Sequence, residues 1–144
     1  MTLIKRSDSQ PLRFITLLLL IAILSACSEP PYSNLSNTEL DAMLKQNVPV
    51  YDIRRADEWQ QTGVIDGSEL LTFVDASGRI NADFMNRFSA AIGQNDPVIL
   101  ICRTGNRSGV LARYLVEQKG YTQVFNVRNG ITQWIRDKRS VRHL

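Results

Sequence analysis

The sequence predicts an α/β fold, a sandwich built on a central parallel sheet. Three observations carry this expectation. Short apolar runs alternate along the chain with segments of helical periodicity, the pattern of repeated strand–helix units. One run, Val98-Ile99-Leu100-Ile101, is apolar at four consecutive positions, as befits a strand covered on both faces. The 144 residues, 44% hydrophobic and 22% charged, suit one domain with its own core.

The elements follow in order. Residues 28–35, SEPPYSNL, are rich in Pro and Ser and read as a tether. Ser36-Asn37-Thr38-Glu39 has the form of a capping box, in which the serine accepts from the N3 amide while the glutamate reaches back. It opens a helix with Leu40, Met43 and Leu44 on one side. Residues 49–53 form a short strand and 56–61 a short helix. Gly63 and Gly67 mark a turn-rich link, and 70–72 a further strand. From about Ala82 a helix carries Phe84, Phe88 and Ile92 at near-helical spacing. Asp96-Pro97 breaks the chain before strand 98–101. Residues 108–119 form a helix with Val110, Leu111, Tyr114 and Leu115 as its apolar face, and Gly120 suits its stop. Residues 124–127 form a strand, after which Asn129-Gly130 turns into a last helix carrying Trp134. Trp59 and Trp134 read as packing residues. Ligands of parallel sheets bind beyond the carboxyl ends of the strands, and Cys102 stands at one such end.

The segment Cys102-Arg103-Thr104-Gly105-Asn106-Arg107-Ser108 joins that strand to the next helix. A free thiol titrates near about 8.5, and only the thiolate is a good nucleophile. Three features of the segment favour the anion. A curled loop can point successive amides inward as an anion nest. The following helix offers the positive end of its dipole. Arg103 and Arg107 add full charges. Gly105 permits a tight turn. Ser108 is expected to cap the helix, with donation to the sulfur as the alternative. No metal-binding spacing exists: there is one histidine, His143, and no CxxC pair.

These residues resemble the active-site loop of the rhodanese family of single-domain sulfurtransferases, and three other segments agree. Asp52-Ile53-Arg54 resembles the family's Asp-Val-Arg. Asp57-Glu58-Trp59 with Gly63-Val64-Ile65-Asp66-Gly67-Ser68 resembles its acidic-aromatic and Gly-His-Ile-Pro-Gly-Ala segments. Asn126-Val127-Arg128-Asn129-Gly130-Ile131, ending at Trp134, resembles its Asn-Leu-x-Gly-Gly close. Val64, Asp66 and Asn129 depart from the pattern; Asn129 replaces a glycine, and asparagine tolerates positive φ. The resemblance spans roughly residues 36–136. It implies a rhodanese-like three-layer sandwich, with helices on both faces of the sheet and no cofactor. It also implies a double displacement. Cys102 takes a sulfane sulfur from a small anionic donor, thiosulfate or a persulfide, and passes it to cyanide or to a thiol or thioredoxin-like acceptor. Arg103, Thr104, Gly105, Asn106, Arg107 and Ser108 would bind substrate. Asp52, Arg54 and Glu58 would support the site. Asp52 is expected to accept backbone or arginine hydrogen bonds and Glu58 to pair with an arginine, in preference to either serving as a catalytic acid.

Rival readings are weaker. Phosphatases and arsenate reductases also curl a loop around a cysteine, but with five residues between Cys and Arg. Here four separate Cys102 from Arg107, a tighter nest suited to a single sulfur. A non-enzymatic binding or sensing module would ordinarily have lost the cysteine. A disulfide redox cycle lacks a resolving partner once Cys27 is lipidated.

That lipidation is itself an expectation. Lys5, Arg6 and Arg13 precede residues 14–24, FITLLLLIAIL, an apolar run too short to span a bilayer and suited to a signal peptide. Leu24-Ser25-Ala26-Cys27 follows and resembles a bacterial lipobox. The expected division is a signal peptide at 1–26, a lipidated N-terminus and tether at 27–35, the domain at 36–138 and a basic, solvated tail at 139–144. Acylated Cys27 would anchor the chain to the lipid bilayer on the periplasmic side of the envelope; Ser28 points to the inner leaflet of the outer membrane. Cleavage removes Lys5, Arg6, Arg13 and Asp8, so 17 basic and 14 acidic residues become 14 and 13. A net charge of about +1 argues against a nucleic-acid partner.

Overall fold

The computed structural model describes residues 29–144. The expected signal peptide 1–26 and Cys27 lie outside the described residues. Within the compact unit Pro31–Leu144 the elements are β1 (Ser33–Leu35), α1 (Asn37–Leu44), β2 (Val50–Asp52), α2 (Ala56–Thr62) and β3 (Glu69–Leu70), then α3 (Phe84–Ala91), β4 (Val98–Ile101), α4 (Asn106–Lys119), β5 (Val124–Val127) and α5 (Gly130–Arg136). The strands form one sheet, ordered β1-β5-β4-β2-β3, with every pairing parallel. β4 lies at its centre, which explains its unbroken apolar run.

Side chains alternate across a strand, so the sheet divides the apolar residues into two cores. Val98, Leu100 and Cys102 face a cluster that includes Phe84 and Phe88 of α3 and Leu111, Ala112 and Leu115 of α4. Ile99 and Ile101 face the other, with Leu40 of α1 and Ile131 and Trp134 of α5. The result is a three-layer α/β sandwich with helices on both faces. Phe84 packs edge-on against Phe73 and stacks on Phe88, so α3 is held chiefly by aromatic contact. The capping box of α1 is formed: the Glu39 amide donates to Ser36 Oγ at 3.3 Å, and the Ser36 amide donates to Glu39 Oε2 at 2.7 Å.

Four local expectations are corrected. Residues 33–35 of the expected tether are an edge strand. Their pairing with β5, the burial of Leu35 and the hydrogen bond that Asn126 Nδ2 donates to Asn34 Oδ1 are long-range effects that local composition does not carry. Strand β3 ends at Leu70, yet Leu71 and Phe73 still donate to the carbonyls of Asp52 and Ile53, so the chain stays beside β2. Helix α4 buries Ser108, Gly109, Leu111, Ala112 and Leu115, leaving Val110 66% exposed. Finally, residues 139–144 are not a free tail. Val64 and Arg142 exchange backbone hydrogen bonds of 2.9 and 2.8 Å, Trp134 Nε1 donates to the Ser140 carbonyl, and Val141 packs on the second core. Arg139 pairs with Asp41 and lies over the Trp134 ring. Arg142 pairs with Asp66 but stays exposed, so only Arg139 is drawn into the fold.

The two faces of α4 predict opposite mutational responses. Leu111→Ala removes a fully buried side chain from the first core and should cost about 2–5 kcal/mol in urea denaturation. Val110→Ala, one residue earlier, should change stability by less than about 0.5 kcal/mol.

Candidate active site

Cys102 is the first residue past β4 and continues its alternation, so its sulfur points toward the core beneath α4 rather than outward. It is 1% exposed. The chain then turns through Gly105, whose φ of +88° is readily adopted by glycine. A Cβ there would lie 2.0 Å from the Arg128 carbonyl oxygen, so the turn is packed against the end of β5. Helix α4 begins at Asn106, two residues before the expected start. Ser108 therefore stands inside the first turn and does not cap it. Its amide donates to Cys102 Sγ at 3.5 Å and its hydroxyl at 3.2 Å. The sulfur thus receives two donors from the positive end of a fourteen-residue helix.

The outer side of the loop is fastened to α5. The amides of Ile131 and Thr132 donate to the carbonyls of Cys102 and Arg103 at 2.9 and 3.1 Å, and Thr132 Oγ1 adds a third bond to Arg103 at 2.8 Å. Gly130 makes this approach possible. Its φ is +58°, and a Cβ on it would lie 2.4 Å from the Cys102 carbonyl oxygen. Asn129 needs no special conformation, with φ at −112°. The positive φ was expected at the wrong member of the pair. Gly130 and Thr132 are site residues that the sequence reading did not assign; the signal for Gly130 was the Asn-Gly step itself.

The arginines divide by role. Arg107 forms a two-pronged pair with Glu58 of α2, Nη1 to Oε2 at 2.8 Å and Nη2 to Oε1 at 2.6 Å. The Arg55 amide also donates to Glu58 Oε2. Burial pushes the Glu58 carboxyl up, but the hydrogen bonds and charges of Arg107 and Arg55 outweigh it and hold it below its ordinary range. Its hydrogen bond to Glu58, with help from Glu58's charge and from a Cys102 anion, raises Arg107 in turn. Arg54 and Asp52, expected as supporting residues, form a buried pair at 2.7 Å. Arg54 also donates to the carbonyl of Glu58, to Thr62 Oγ1 and to the Gly63 carbonyl. Both residues clasp α2 to the end of β2, and none of these hydrogen bonds reaches the sulfur.

Arg103, Thr104 and Asn106 are exposed and, with Arg107, wall a cleft of about 800 Å³ whose other side is made by α2 and α5. Cys102 is not among its walls. The arrangement can stabilise an anion on sulfur and gather anionic groups beside it.

The chain matches the Rhodanese-like domain family over residues 36–137 and belongs to it. It is 34% identical over 95 residues to the thiosulfate sulfurtransferase GlpE of Pseudoalteromonas translucida, covering 66% of this chain and 80% of that protein. A crystal structure from Mycobacterium tuberculosis is similar at a TM-score of 0.56 and 29% identity, over 69% of this chain and 80% of that one. The polysulfide-sulfur transferase homodimer of Wolinella succinogenes shares the fold at a TM-score of 0.62 and 17% identity, over 96% and 95%.

The Glu58–Arg107 pair ties stability to pH with a definite sign. A carboxyl lowered in the folded state contributes stability that is present above its unfolded value, near 4.5, and is lost as pH falls through the folded value. Thermal melts of the wild type should therefore weaken below about pH 4.5 more steeply than those of Glu58→Gln.

Proposed function

We propose that the chain is a sulfurtransferase that carries a sulfane sulfur on Cys102. The observation behind this reading is the pair of donors, amide and hydroxyl, that Ser108 directs at Cys102 Sγ from the start of α4. They stabilise a thiolate on Cys102 Sγ. Four residues separate Cys102 from Arg107, which leaves a nest for one sulfur in place of a tetrahedral oxyanion.

With thiosulfate as donor, the Cys102 thiolate attacks the outer sulfur. A Cys102–sulfur bond forms, the sulfur–sulfur bond of thiosulfate breaks, and sulfite leaves with the bonding pair. The charge of minus three is the same before and after. An acceptor thiolate or cyanide then attacks the outer sulfur of the Cys102 persulfide and releases the Cys102 thiolate. The persulfide carries its reactive atom about 2 Å beyond Sγ, which eases transfer from a buried cysteine. No general base is needed in either half, in keeping with the engagement of Glu58 by two arginines. The named activity of the Pseudoalteromonas relative supports thiosulfate as donor. The Leu24-Ser25-Ala26-Cys27 motif supports a lipid anchor at Cys27 on the periplasmic side of the bacterial envelope.

Two measurements test this. Intact-mass spectrometry of residues 28–144 after incubation with thiosulfate should show a gain of one sulfur atom, labile to cyanide and absent in Cys102→Ser. Ser108→Ala should load about tenfold more slowly, the worth of one hydrogen bond to a charged group. No adduct in folded, reduced protein, with thiosulfate or a small persulfide donor, would refute the activity. For the anchor, the full chain expressed in a bacterium should incorporate labelled palmitate and lose it in Cys27→Ser; an unlabelled wild type rejects lipidation.

A further inference from the structure

Helix α4 carries two apolar seams, and the core uses one. Leu111, Ala112 and Leu115 are buried against the sheet. Val110 and Tyr114, one helical turn apart, face away from it and are 66% and 39% exposed. Among the described residues, no other helix or strand exposes two large apolar side chains. Tyr32 joins this outer seam. With Val110, Arg113, Tyr114 and Gln118 it lines a groove of about 550 Å³. Its ring packs on the first core, and a Cβ on Gly109 would lie 2.8 Å from its hydroxyl oxygen. The bare backbone of Gly109 thus leaves the phenol its place on the helix.

Tyr32 is also where the chain enters the sheet, since β1 begins at the next residue. Cys27 lies five residues before it, and five residues reach at most about 18 Å. Two of the residues between them are Pro30 and Pro31, whose fixed φ stiffens the link. With Cys27 acylated, a bilayer surface therefore stands within that reach of Tyr32. The side chains of the outer seam suit such a surface. Tyrosine, with an apolar ring and a polar tip, settles at the boundary between headgroups and acyl chains. Lys119 Nζ lies 5.5 Å from the centre of the Tyr114 ring. Arg113 meets Glu117 at 2.9 Å in an exposed pair, a weak contact that a lipid phosphate can replace. So small a face binds weakly by itself. A short link changes this, because it sets an effective concentration on the order of millimolar.

We propose that the outer face of α4, with Tyr32, Val110, Arg113 and Tyr114 at its centre, rests on the phospholipid bilayer that holds the chain. Val110 and the two tyrosine rings meet the acyl boundary, and Arg113 and Lys119 lie among the phosphates. The docking rests on the lipid anchor at Cys27 and is independent of sulfur transfer. The bilayer is the occupant that the link itself delivers, since the link ends at the groove. Asn106 borders both this groove and the cleft beside the Cys102 loop. A docked domain therefore carries its active-site loop next to the membrane surface, in one fixed orientation, while the α2 and α5 walls of the cleft belong to other elements.

Fluorescence tests it on the full, acylated chain in vesicles of phosphatidylethanolamine and phosphatidylglycerol with brominated acyl chains. A bimane label goes on Val110→Cys or, as control, on Ile80→Cys, each in Cys102→Ser so that the introduced thiol alone reacts. Both positions are exposed, so both chains should melt with their Cys102→Ser parent. Brominated chains quench a fluorophore that touches them. The label at 110 should lose about half its emission relative to ordinary vesicles, as for a weak face held near its own Kd. The label at 80 should lose almost none. Adding Tyr114→Glu should abolish the loss at 110, and Tyr114→Phe should keep it. Emission at 110 unchanged by bromination, or quenched no more than at 80, would overturn the docking. So would a label at 110 that is shielded in concentrated protein without lipid, which would give the face to a second copy. Palmitate labelling of the same chains reads the anchor separately. An acylated chain with an unquenched 110 label defeats the docking alone, whereas an unacylated one defeats the anchor and the docking with it.

Discussion

The active-site loop keeps its shape because its carbonyls on one side are bound to the start of α5. Three donors from Ile131 and Thr132 hold the Cys102 and Arg103 carbonyls. The contact is close enough that only glycine fits at Gly130, and the opposite approach of Gly105 to the Arg128 carbonyl is closer still. The two glycines act as a pair. Each supplies a positive φ, and each occupies space where a Cβ would strike backbone. With the carbonyls drawn outward, the first turn of α4 is free to direct the Ser108 amide and hydroxyl at the sulfur. A polar loop around a buried thiol is thereby made without stranding backbone groups, which would otherwise be costly.

Charge in the site is arranged in layers. Arg54 and Asp52 are fully buried, and their pairing is supplemented by bonds to Glu58, Thr62 and Gly63. A buried ion pair of this kind is a poor source of net stability, but losing one partner would strand the other. It fixes α2. Helix α2 then presents Glu58, which holds Arg107 in a two-pronged grip and keeps that guanidinium at the rim of the loop. Beyond this pair lie Arg103 and Arg136, which enter no ion pair among the described residues. The order runs from a cation that builds the fold, through one that shapes the loop, to two that line the cleft at its rim.

Much of this was legible in the sequence, and the misses share a cause. The capping box at Ser36 and Glu39, the buried run at 98–101 and the strand at 124–127 are local signals: each is written in residues that touch their neighbours along the chain. The cysteine loop was legible for the same reason, since Cys102, Gly105, Arg107 and Ser108 lie within one turn and its approach. Glu58 was correctly expected to pair with an arginine. The errors fall where distant segments meet. Residues 33–35 look like linker until β5 is beside them. Val110 and Tyr114 look like core until the sheet decides which face of α4 it covers, and that face is set by Leu111 and Leu115. Arg139 looks solvated until Asp41 and Trp134 arrive beside it.

The sequence by itself determined the alternation of strands and helices, the place of the nucleophile at a strand end and the spacing that sizes its nest. These depend on periodicity and on contacts a few residues apart. Tertiary structure alone decided that Ser108 serves the sulfur instead of capping a helix, that Gly130 locks the loop from the far side, and that Arg136 shares a cleft with Arg103. Residues 103 and 136 are brought together only by the parallel crossover that lays α5 beside the end of β4. Such long-range placement is fixed by the packing of two cores on one sheet, and no local pattern of residues records it.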